Sequence, residues 1–269
     1  MRAGTFAYAM ASLVLLASAV PASAQSFGGS TNDGPIEITA QQSLEWLSDE
    51  KRYVATGDAV ATRGDVQVSA DKLSALYRET DAGDTEIYLV EATGNVVIET
   101  PEERVVGDRG TYDVDKQVLV LTGNDLRLTT PTETLIAEDS LEYDQVARRA
   151  TARGNATVWN ERDRVSADTL VAELEEGAGG DLELSKVLGE GNVTIITPQE
   201  TVRGEQGFYD VAEERAEIIG NVKITRGDNQ LNGAVAEVDL ATGVSRLLSA
   251  GSEPVRARGL ISSEGSAPQ

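Results

Sequence analysis

Histidine and cysteine are both absent from the 269 residues, and aromatic residues make up only 4% of them. Without histidine the chain lacks the most common general base and metal ligand, and with them every Ser-His arrangement for nucleophilic catalysis. Without cysteine no disulfide can hold the fold, so stability must come from buried apolar surface and backbone pairing, which a chain of this length can supply. We therefore expect a protein that is not an enzyme, with no catalytic residue, no metal site and no cofactor.

Basic residues are also few: 23 Lys and Arg stand against 45 Asp and Glu, for a net charge of −22. Nucleic-acid-binding proteins need a basic surface to displace the counterions of the phosphates, so nucleic acid is excluded as a partner. The acidic residues are spread along the chain and show no calcium-loop spacing. They indicate a solvated, self-repelling surface that keeps the protein soluble.

Long apolar runs are missing except near the N-terminus. Arg2 precedes an apolar stretch over 6–20, and Ala22-Ser23-Ala24 has the small-x-small pattern of a cleavage site. Residues 1–24 are therefore predicted to be a cleaved export signal. The alternative, a retained membrane anchor, is disfavoured because the stretch is shorter than the ~20 residues of a membrane span. We expect a linker over 25–35 and a disordered tail over 262–269.

A glycine followed by asparagine or aspartate recurs ahead of short β-prone runs. These dipeptides begin at Gly57, Gly94, Gly123, Gly154, Gly191 and Gly220, with a degraded seventh at Gly251. Their spacings are 37, 29 and 31 residues and then repeat, so the sequence shifted by 97 residues aligns with itself without a gap. The chain is predicted to contain tandem copies at about 36–132 and 133–229, with a partial third copy over 230–259.

Each copy carries three subrepeats with two strand signals apiece, and one strand is predicted to start at each Gly-Asn. Val96 and Ile98 illustrate the period-two alternation that follows, which predicts a strand with one buried face. Asp125 and Arg127 break this alternation in one subrepeat. The pattern predicts an all-β fold of some 14 to 16 short antiparallel strands stacked along one axis.

A small-acidic pair marks the second strand of many subrepeats. The apolar phase jumps by three across two of these pairs, from Ala70 to Leu73 and from Ala167 to Leu170. A phase change of one residue within a strand predicts a β-bulge or a corner. Acids that recur once per subrepeat are predicted to be turn or bulge residues rather than catalytic carboxylates; they are Asp71, Asp108, Asp139 and Asp168.

Four stretches are similar to a known family: Pro35-Ile36-Glu37-Ile38, Gln42-Ser43-Leu44, Ser69-Ala70-Asp71-Lys72 and Thr122-Gly123-Asn124. With the subrepeat around them, they resemble the LptA/OstA-like periplasmic proteins of lipopolysaccharide transport. The resemblance implies an elongated β-jellyroll, or V-shaped stack of antiparallel strands, over 36–261. It also implies a non-enzymatic carrier or bridge that shields the acyl chains of lipopolysaccharide in an apolar trough on the way from inner to outer membrane.

Partners and location are implied by the same resemblance. The ligand would be lipopolysaccharide, and the protein partners would be an inner-membrane anchored Lpt component and the N-terminal domain of the outer-membrane Lpt translocon. Copies of the chain would join head to tail as a homo-oligomer. The implied location is the periplasm, which agrees with the predicted export signal.

Nine apolar residues on the alternating face are predicted to line this trough. They are Ile36, Ile38, Val96, Ile98, Val158, Val193, Ile195, Val222 and Ile224. Ile36 and Ile38 also lie in the motif that carries the resemblance. The alternative for each residue is a place in a fully packed core that has no room for a guest.

Two rival functions remain open at this stage. One is a structural or adhesive secreted β-solenoid without lipid binding, whose interior would be dry and filled. The other is an enzyme acting on envelope polymers, which would need a constellation unique to one copy, and none is visible. Four arginines could meet lipid phosphates but are predicted to form solvated ion pairs; they are Arg148, Arg149, Arg162 and Arg164.

Overall fold

The computed structural model describes residues 36–81, 83–177, 182–239, 242, 244–248 and 258–260, so the predicted signal, linker and tail lie outside the described residues. They form β1 (Glu37–Thr39), β2 (Ser43–Leu47), β3 (Arg52–Arg63), β4 (Val66–Glu79), β5 (Thr85–Glu99), β6 (Arg104–Asp113), β7 (Val118–Thr122), β8 (Leu126–Thr129), β9 (Thr134–Ala137), β10 (Ser140–Asp144), β11 (Arg149–Trp159), β12 (Arg164–Glu176), β13 (Leu182–Ile196), β14 (Thr201–Asp210), β15 (Arg215–Arg226), β16 (Asn229–Asp239), β17 (Val244–Leu248) and β18 (Arg258–Leu260). Within these residues no helix could span a membrane.

The chain crosses the sheet in successive antiparallel passes, where a pass is one long strand or two short strands in line. Each pass is hydrogen-bonded to its neighbour in the chain wherever the register is described. Four passes are split into two short strands: β1 with β2, β7 with β8, β9 with β10, and β17 with β18. Counted as passes, the eighteen described strands make fourteen. The all-β prediction is confirmed, and the number of passes lies in the predicted range.

Five of the dipeptides, at Gly57, Gly94, Gly154, Gly191 and Gly220, lie inside long strands, so the prediction that a strand starts at each of them is wrong. The dipeptide at Gly123 lies between β7 and β8, and Gly251 lies outside the described residues. Gly94 and Asn95 both have positive φ, at 78° and 48°. The register shifts there, because Thr93 faces Arg109 while Val96 faces Gly107. Two residues of β5 thus oppose one residue of β6, which is a β-bulge. Glycine and asparagine tolerate positive φ, which is required equally by a turn and by this bulge.

The small-acidic pairs lie opposite these bulges, and the predicted phase change is confirmed. Ala70 and Leu73 are both buried although three positions separate them. The Asn95 side-chain amide donates to both carboxylate oxygens of Asp71, at 3.0 and 3.1 Å. A Cβ at Gly94 would lie 2.1 Å from Asp71 Oδ2, so the neighbouring acid also requires a glycine there.

The broken alternation at Asp125 and Arg127 results from one additional residue in the bulge. Arg109 pairs with Thr122, and Val106 pairs with Arg127. Three residues at 123–125 lie between strands β7 and β8, where the other bulges use two. Leu126 therefore takes the buried inner position and is 1% exposed. The extra residue shifts the apolar phase by one, and the inner face stays apolar.

The chain divides into two compact units, each with its own core. Within the described residues, the N-terminal unit is drawn from Pro21–Ala156 and Glu173–Glu183, and the C-terminal unit from Thr157–Ala172 and Leu184–Gln269. These units are groupings of spatial contacts, whereas the predicted tandem copies are a period of the sequence. Fully buried side chains include Val96 and Leu126 in the N-terminal unit and Tyr209, Ile218 and Val222 in the C-terminal unit.

Candidate functional site: an apolar inner face

Inner-facing side chains form two rows on the side of the bulges where β3 turns into β4 and β5 into β6. The deep row is the inner residue nearest each bulge: Ala59, Ala70, Val96, Leu126 and Ala137 in the N-terminal unit, and Val193 and Val222 in the C-terminal unit. The rim row lies two residues further from the bulge: Ile38, Ala61, Val68, Ile98, Val105, Leu128 and Leu135 in the N-terminal unit, and Ile195, Val202, Ile224 and Leu231 in the C-terminal unit.

Register places neighbouring members of the rim row directly beside one another. Val105 of β6 pairs with Ile98 of β5 on one side and with Leu128 of β8 on the other. Leu128 in turn pairs with Leu135 of β9. Paired residues point to the same face and neighbouring strands are about 4.8 Å apart. The row is therefore a continuous apolar strip running across the strands.

The structure divides the nine predicted lining residues by depth. Val96, Val193 and Val222 belong to the deep row and are at most 2% exposed, so this row is a closed floor. Ile38, Ile98, Ile195 and Ile224 belong to the rim row, Val158 holds the same position on β11, and Ile36 immediately precedes β1. The two N-terminal isoleucines are exposed, Ile98 and Val158 are half-buried, and Ile195 and Ile224 are buried.

The rim rows of the two units differ in exposure although their residue types match. In the N-terminal unit Ile98, Val105, Leu128 and Leu135 are all half-buried. In the C-terminal unit Ile195 is 2% exposed, Val202 3% and Ile224 8%. Water therefore reaches four consecutive apolar side chains of one unit, whereas the matching positions in the other unit are closed for three consecutive strands.

The inner face is also open where the stack of strands begins. Within the described residues, the ladders of β1 and β2 run along β3 on one side, which leaves their other side as an edge. Leu44 and Trp46 on β2 are 62% and 67% exposed. Leu141, which is 97 residues after Leu44 and is covered by β7, is only 9% exposed. Exposure at this edge thus agrees with the lack of a covering strand among residues 36–260 as far as the structure describes them.

The same passes of the N-terminal unit continue beyond the bulges as a second arm, away from the rim row. On this arm Tyr143 pairs with Leu119, which pairs with Tyr112, at the strand ends away from the rim row. Burial raises the pKa of Tyr143, and the negative charge of Glu103 raises it further. Glu103 lies in the turn beside the rim row.

Buried carboxyl groups in the turns beside the rim row were missed by the sequence analysis. Thr130 Oγ1 accepts the backbone N–H groups of Thr132 and Glu133, at 3.3 and 3.0 Å, which closes the turn. Burial raises the pKa of Glu133 to about 7. The signal was available, because the same turn recurs at 100–103, 160–163 and 197–200 as Thr-Pro-Glu-Glu, Asn-Glu-Arg-Asp and Thr-Pro-Gln-Glu.

The other three turns show the same placement of an acid. Burial raises the pKa of Glu103, and neighbouring Glu102 adds to the rise. Burial raises the pKa of Glu200, and the positive charge of Arg226 opposes the rise. Asp163 at the equivalent position is 3% exposed. The fourth residue of each turn is therefore an acid held at the border between water and the apolar inner face.

The recurring acids of the bulges have structural partners, as predicted. Asp168 accepts from the Asn192 side chain, as Asp71 does from Asn95, and Asp108 accepts from the backbone and side chain of Asn124. The space at Gly154 is filled by Asp139. Arg148 and Arg149 form the predicted ion pairs, with Glu176 and Glu173. Arg164 lies 5.5 Å from the centre of the Trp159 ring.

Neither a metal centre nor an enzyme-like pocket is assembled in the part of the chain that the structure describes. No group of three or more acidic residues there could hold a metal ion. One cavity of about 460 Å³ opens on the outer face, opposite the rim row. It is lined mainly by charged and polar residues, among them Asp65, Gln67, Glu99, Glu102 and Arg104. Its lining differs in character from the apolar strip.

Comparison with known proteins assigns a family to this arrangement. The family model described as "LptA/(LptD N-terminal domain) LPS transport protein" matches residues 37–139 and again residues 135–244. A protein of Rhizobium meliloti (strain 1021), described as uncharacterised, is 24% identical over 103 residues, which are 37% of this chain and 55% of the relative. The chain thus matches about half the length of that relative.

Among solved structures, the chain is similar to LptH of Pseudomonas aeruginosa, described as the LptA-homologous periplasmic component of the lipopolysaccharide transport device. The alignment covers 85% of this chain and 96% of LptH, at 12% identity and a TM-score of 0.21. A score this low carries no structural detail from one protein to the other. The family model, whose two successive matches together span residues 37–244, carries the assignment.

Proposed function

This chain belongs to the LptA/(LptD N-terminal domain) family of LPS transport proteins, and from that premise we propose that it carries lipopolysaccharide across the periplasm with the acyl chains held against its apolar inner face. The observation that carries the proposal is the rim row of the N-terminal unit. It is a strip of four register-matched apolar side chains that remain accessible to water. The family is one of transport proteins, and the proposed role is non-enzymatic.

The physical need for such a carrier comes from the acyl chains. Burying a methylene group gains about 0.8 kcal/mol, so exposing a 12-carbon chain to water costs on the order of 10 kcal/mol. An apolar strip removes this cost without a chemical step and without tight, specific contacts. The strip supplies no direction, so net movement requires an energy source elsewhere in the transport system.

All nine predicted residues have a place in the proposed trough. The deep-row residues Val96, Val193 and Val222 form its floor, and their close packing keeps the two arms together. Ile38, Ile98, Val158, Ile195 and Ile224 occupy the level of the rim, with Ile36 beyond the start of β1. The same face can therefore be closely packed at its floor and open at its rim, so a packed core and a trough do not exclude each other.

The proposed partners are proteins of the same fold, joined through the sheet edge at β1 and β2. This edge combines unpaired backbone groups with the exposed side chains of Ile38, Leu44 and Trp46. A second copy of the chain could add a strand at this edge and continue the sheet head to tail. The inner-membrane anchored Lpt component and the N-terminal domain of the outer-membrane translocon are the other proposed partners.

The test is capture of lipopolysaccharide by a photoreactive residue at Ile98 in living cells. We expect a cross-linked adduct that carries lipopolysaccharide, because Ile98 is half-buried in the apolar strip. The matched control is Val97, the next residue of β5, which points to the opposite face. Adduct at both positions, or at neither, would contradict the proposal. Absence of adduct would favour the rival function, a structural or adhesive β-solenoid with a dry interior.

A further inference from the structure

We infer that the acyl chains bind along the half-buried segment of the rim row of the N-terminal unit, over Ile98, Val105, Leu128 and Leu135, and that the matching segment of the C-terminal unit, Ile195, Val202 and Ile224, is closed and structural. This inference rests on the proposed function and narrows it from the whole inner face to one unit. It follows from a comparison of the two units, since both build the row from the same kinds of residue at equivalent positions.

The two rows are alike in hydrophobicity but differ in their exposure to solvent. Ile98 and Ile195 are the same residue at positions 97 apart, and so are Val105 and Val202. The members in the N-terminal unit are half-buried, while Ile195 and Val202 are 2% and 3% exposed. A closed apolar row has already gained the free energy of burial from its own neighbours, so a guest could enter only by displacing them.

A difference on the second arm supplies a physical reason for the difference in access. Leu119 of β7 pairs with Tyr112 in the N-terminal unit, and Ala216 of β15 pairs with Tyr209 in the C-terminal unit. Ala216 is fully buried, whereas the larger Leu119 is half-buried. A leucine at this position fills space between the arms, and an alanine allows the opposing rows to close on each other.

The border of the open row suits a lipid that has a polar end. Burial raises the pKa of both Glu103 and Tyr143, and the negative charge of Glu103 adds to the rise at Tyr143. Beside Glu103, the charged side chain of Arg104 lies on the outer face. A guest whose apolar part lies on the row therefore has its polar end among groups that remain in contact with water.

The shape of the row favours a hydrocarbon chain over other apolar guests. Four side chains on strands about 4.8 Å apart make a strip about 14 Å long that is one side chain wide. Within the strip each member is aliphatic, and none offers a hydrogen bond. Such a strip fits an extended acyl chain lying across the strands, whereas a peptide would need backbone partners along its length.

A matched pair of positions tests the inference directly. A photoreactive diazirine amino acid is placed at Val105 in one variant and at Val202 in another, and each purified full chain is illuminated with purified lipopolysaccharide. We expect at least tenfold more adduct at Val105. Equal adduct at both positions, or more at Val202, overturns the inference and leaves the proposed function standing. Absence of adduct at both positions contradicts the proposed function itself.

A second measurement needs no probe in the closed row, so the probe cannot disturb the packing there. Leu128→Asp places a carboxylate on the strip, and its control Arg127→Asp places the same group on the outer face of the same strand. We expect Leu128→Asp to reduce adduct at a probe on Ile98 at least fivefold and Arg127→Asp to leave it unchanged, with circular dichroism matching the parent protein. Unchanged capture in a folded Leu128→Asp protein contradicts the assignment to this row.

Discussion

At the scale of single residues, the carboxyl groups at the fourth position of the turns are the most unusual feature. A buried carboxyl loses hydration and shifts toward its neutral form, which raises its pKa. Glu133 shows the effect most clearly, because burial alone raises its pKa to about 7. The neutral form then predominates in mildly acidic solution, and the charged form becomes dominant only above neutral pH.

The Glu133→Gln variant should therefore abolish one component of the pH dependence of stability. A folded-state pKa raised above the unfolded value contributes stability that is complete below about pH 4.5 and is lost as pH rises through about 7. The neutral glutamine has no such loss. We expect the variant to equal the parent at pH 5 and to exceed it at pH 8.5 by about 1 kcal/mol, a value reduced for the partial solvent exposure of the group.

Urea unfolding at the two pH values measures this effect. The control is Glu161→Gln, which changes an exposed glutamate in another turn of the same kind. Parallel changes in both variants would show that the effect comes from the total charge of −22 and not from burial of Glu133.

At the scale of elements, the bulges decide where each strand changes its inner face. Two residues oppose one at each fully formed bulge, so the apolar side chains on both sides of it can point inward. The acid on the neighbouring strand satisfies the asparagine side chain and occupies the space above the glycine. The glycine, the asparagine and the acid therefore form a three-residue bulge motif that recurs along the chain.

Replacing a bulge glycine should cost much more stability than replacing a turn glycine. Gly94→Ala forces a side chain into positive φ and within 2.1 Å of Asp71, so we expect a loss of at least about 2 kcal/mol. Gly64→Ala is the control, since its φ is also positive at 56° but nothing lies within 4 Å of the added Cβ. For that variant we expect about 1 kcal/mol.

Thermal or urea unfolding of the two variants separates conformational strain from collision. Equal losses would show that positive φ alone sets the cost and that Asp71 adapts by moving. A larger loss for Gly94→Ala that is partly recovered in the double variant with Asp71→Ala would identify the collision as its source.

At the scale of the whole molecule, the edge strands determine what the chain can join. The edge at β1 and β2 exposes inner-face positions whose equivalents are buried or half-buried where β9 and β10 lie between neighbours. A newly added strand would bury Leu44 much as β7 buries Leu141. Association through this edge would extend the apolar inner face from one protein to the next.

Leu44→Ser should weaken self-association through this edge. Losing one buried leucine at an interface costs about 1–2 kcal/mol, so we expect the dissociation constant to rise roughly tenfold. Analytical ultracentrifugation of the purified chain over a range of concentrations measures the change. Val146→Ser is the control, because Val146 is more exposed than Leu44 but lies in the turn between β10 and β11. Equal effects of the two substitutions would exclude the edge as the contact.

Much of this architecture was predictable from particular residues, with identifiable exceptions. The alternation at Val96 and Ile98, and the jump from Ala70 to Leu73, predicted a strand face and a bulge that the structure confirms. The position of Gly94-Asn95 was predicted as a strand start, because positive φ suits a turn and a bulge equally well. The turn acids such as Glu133 were overlooked because their role depends on burial.

The sequence by itself determined the all-β class, the tandem period and the apolar face, since each is a regular spacing of residue types along the chain. Only the tertiary structure decided that one part of this face is open and another closed. Ile98 and Ile195 are identical residues in equivalent strands, yet Ile98 is half-buried and Ile195 is buried. Spacing along a strand specifies which way a side chain points, whereas packing between strands distant in sequence specifies whether water or a guest can reach it.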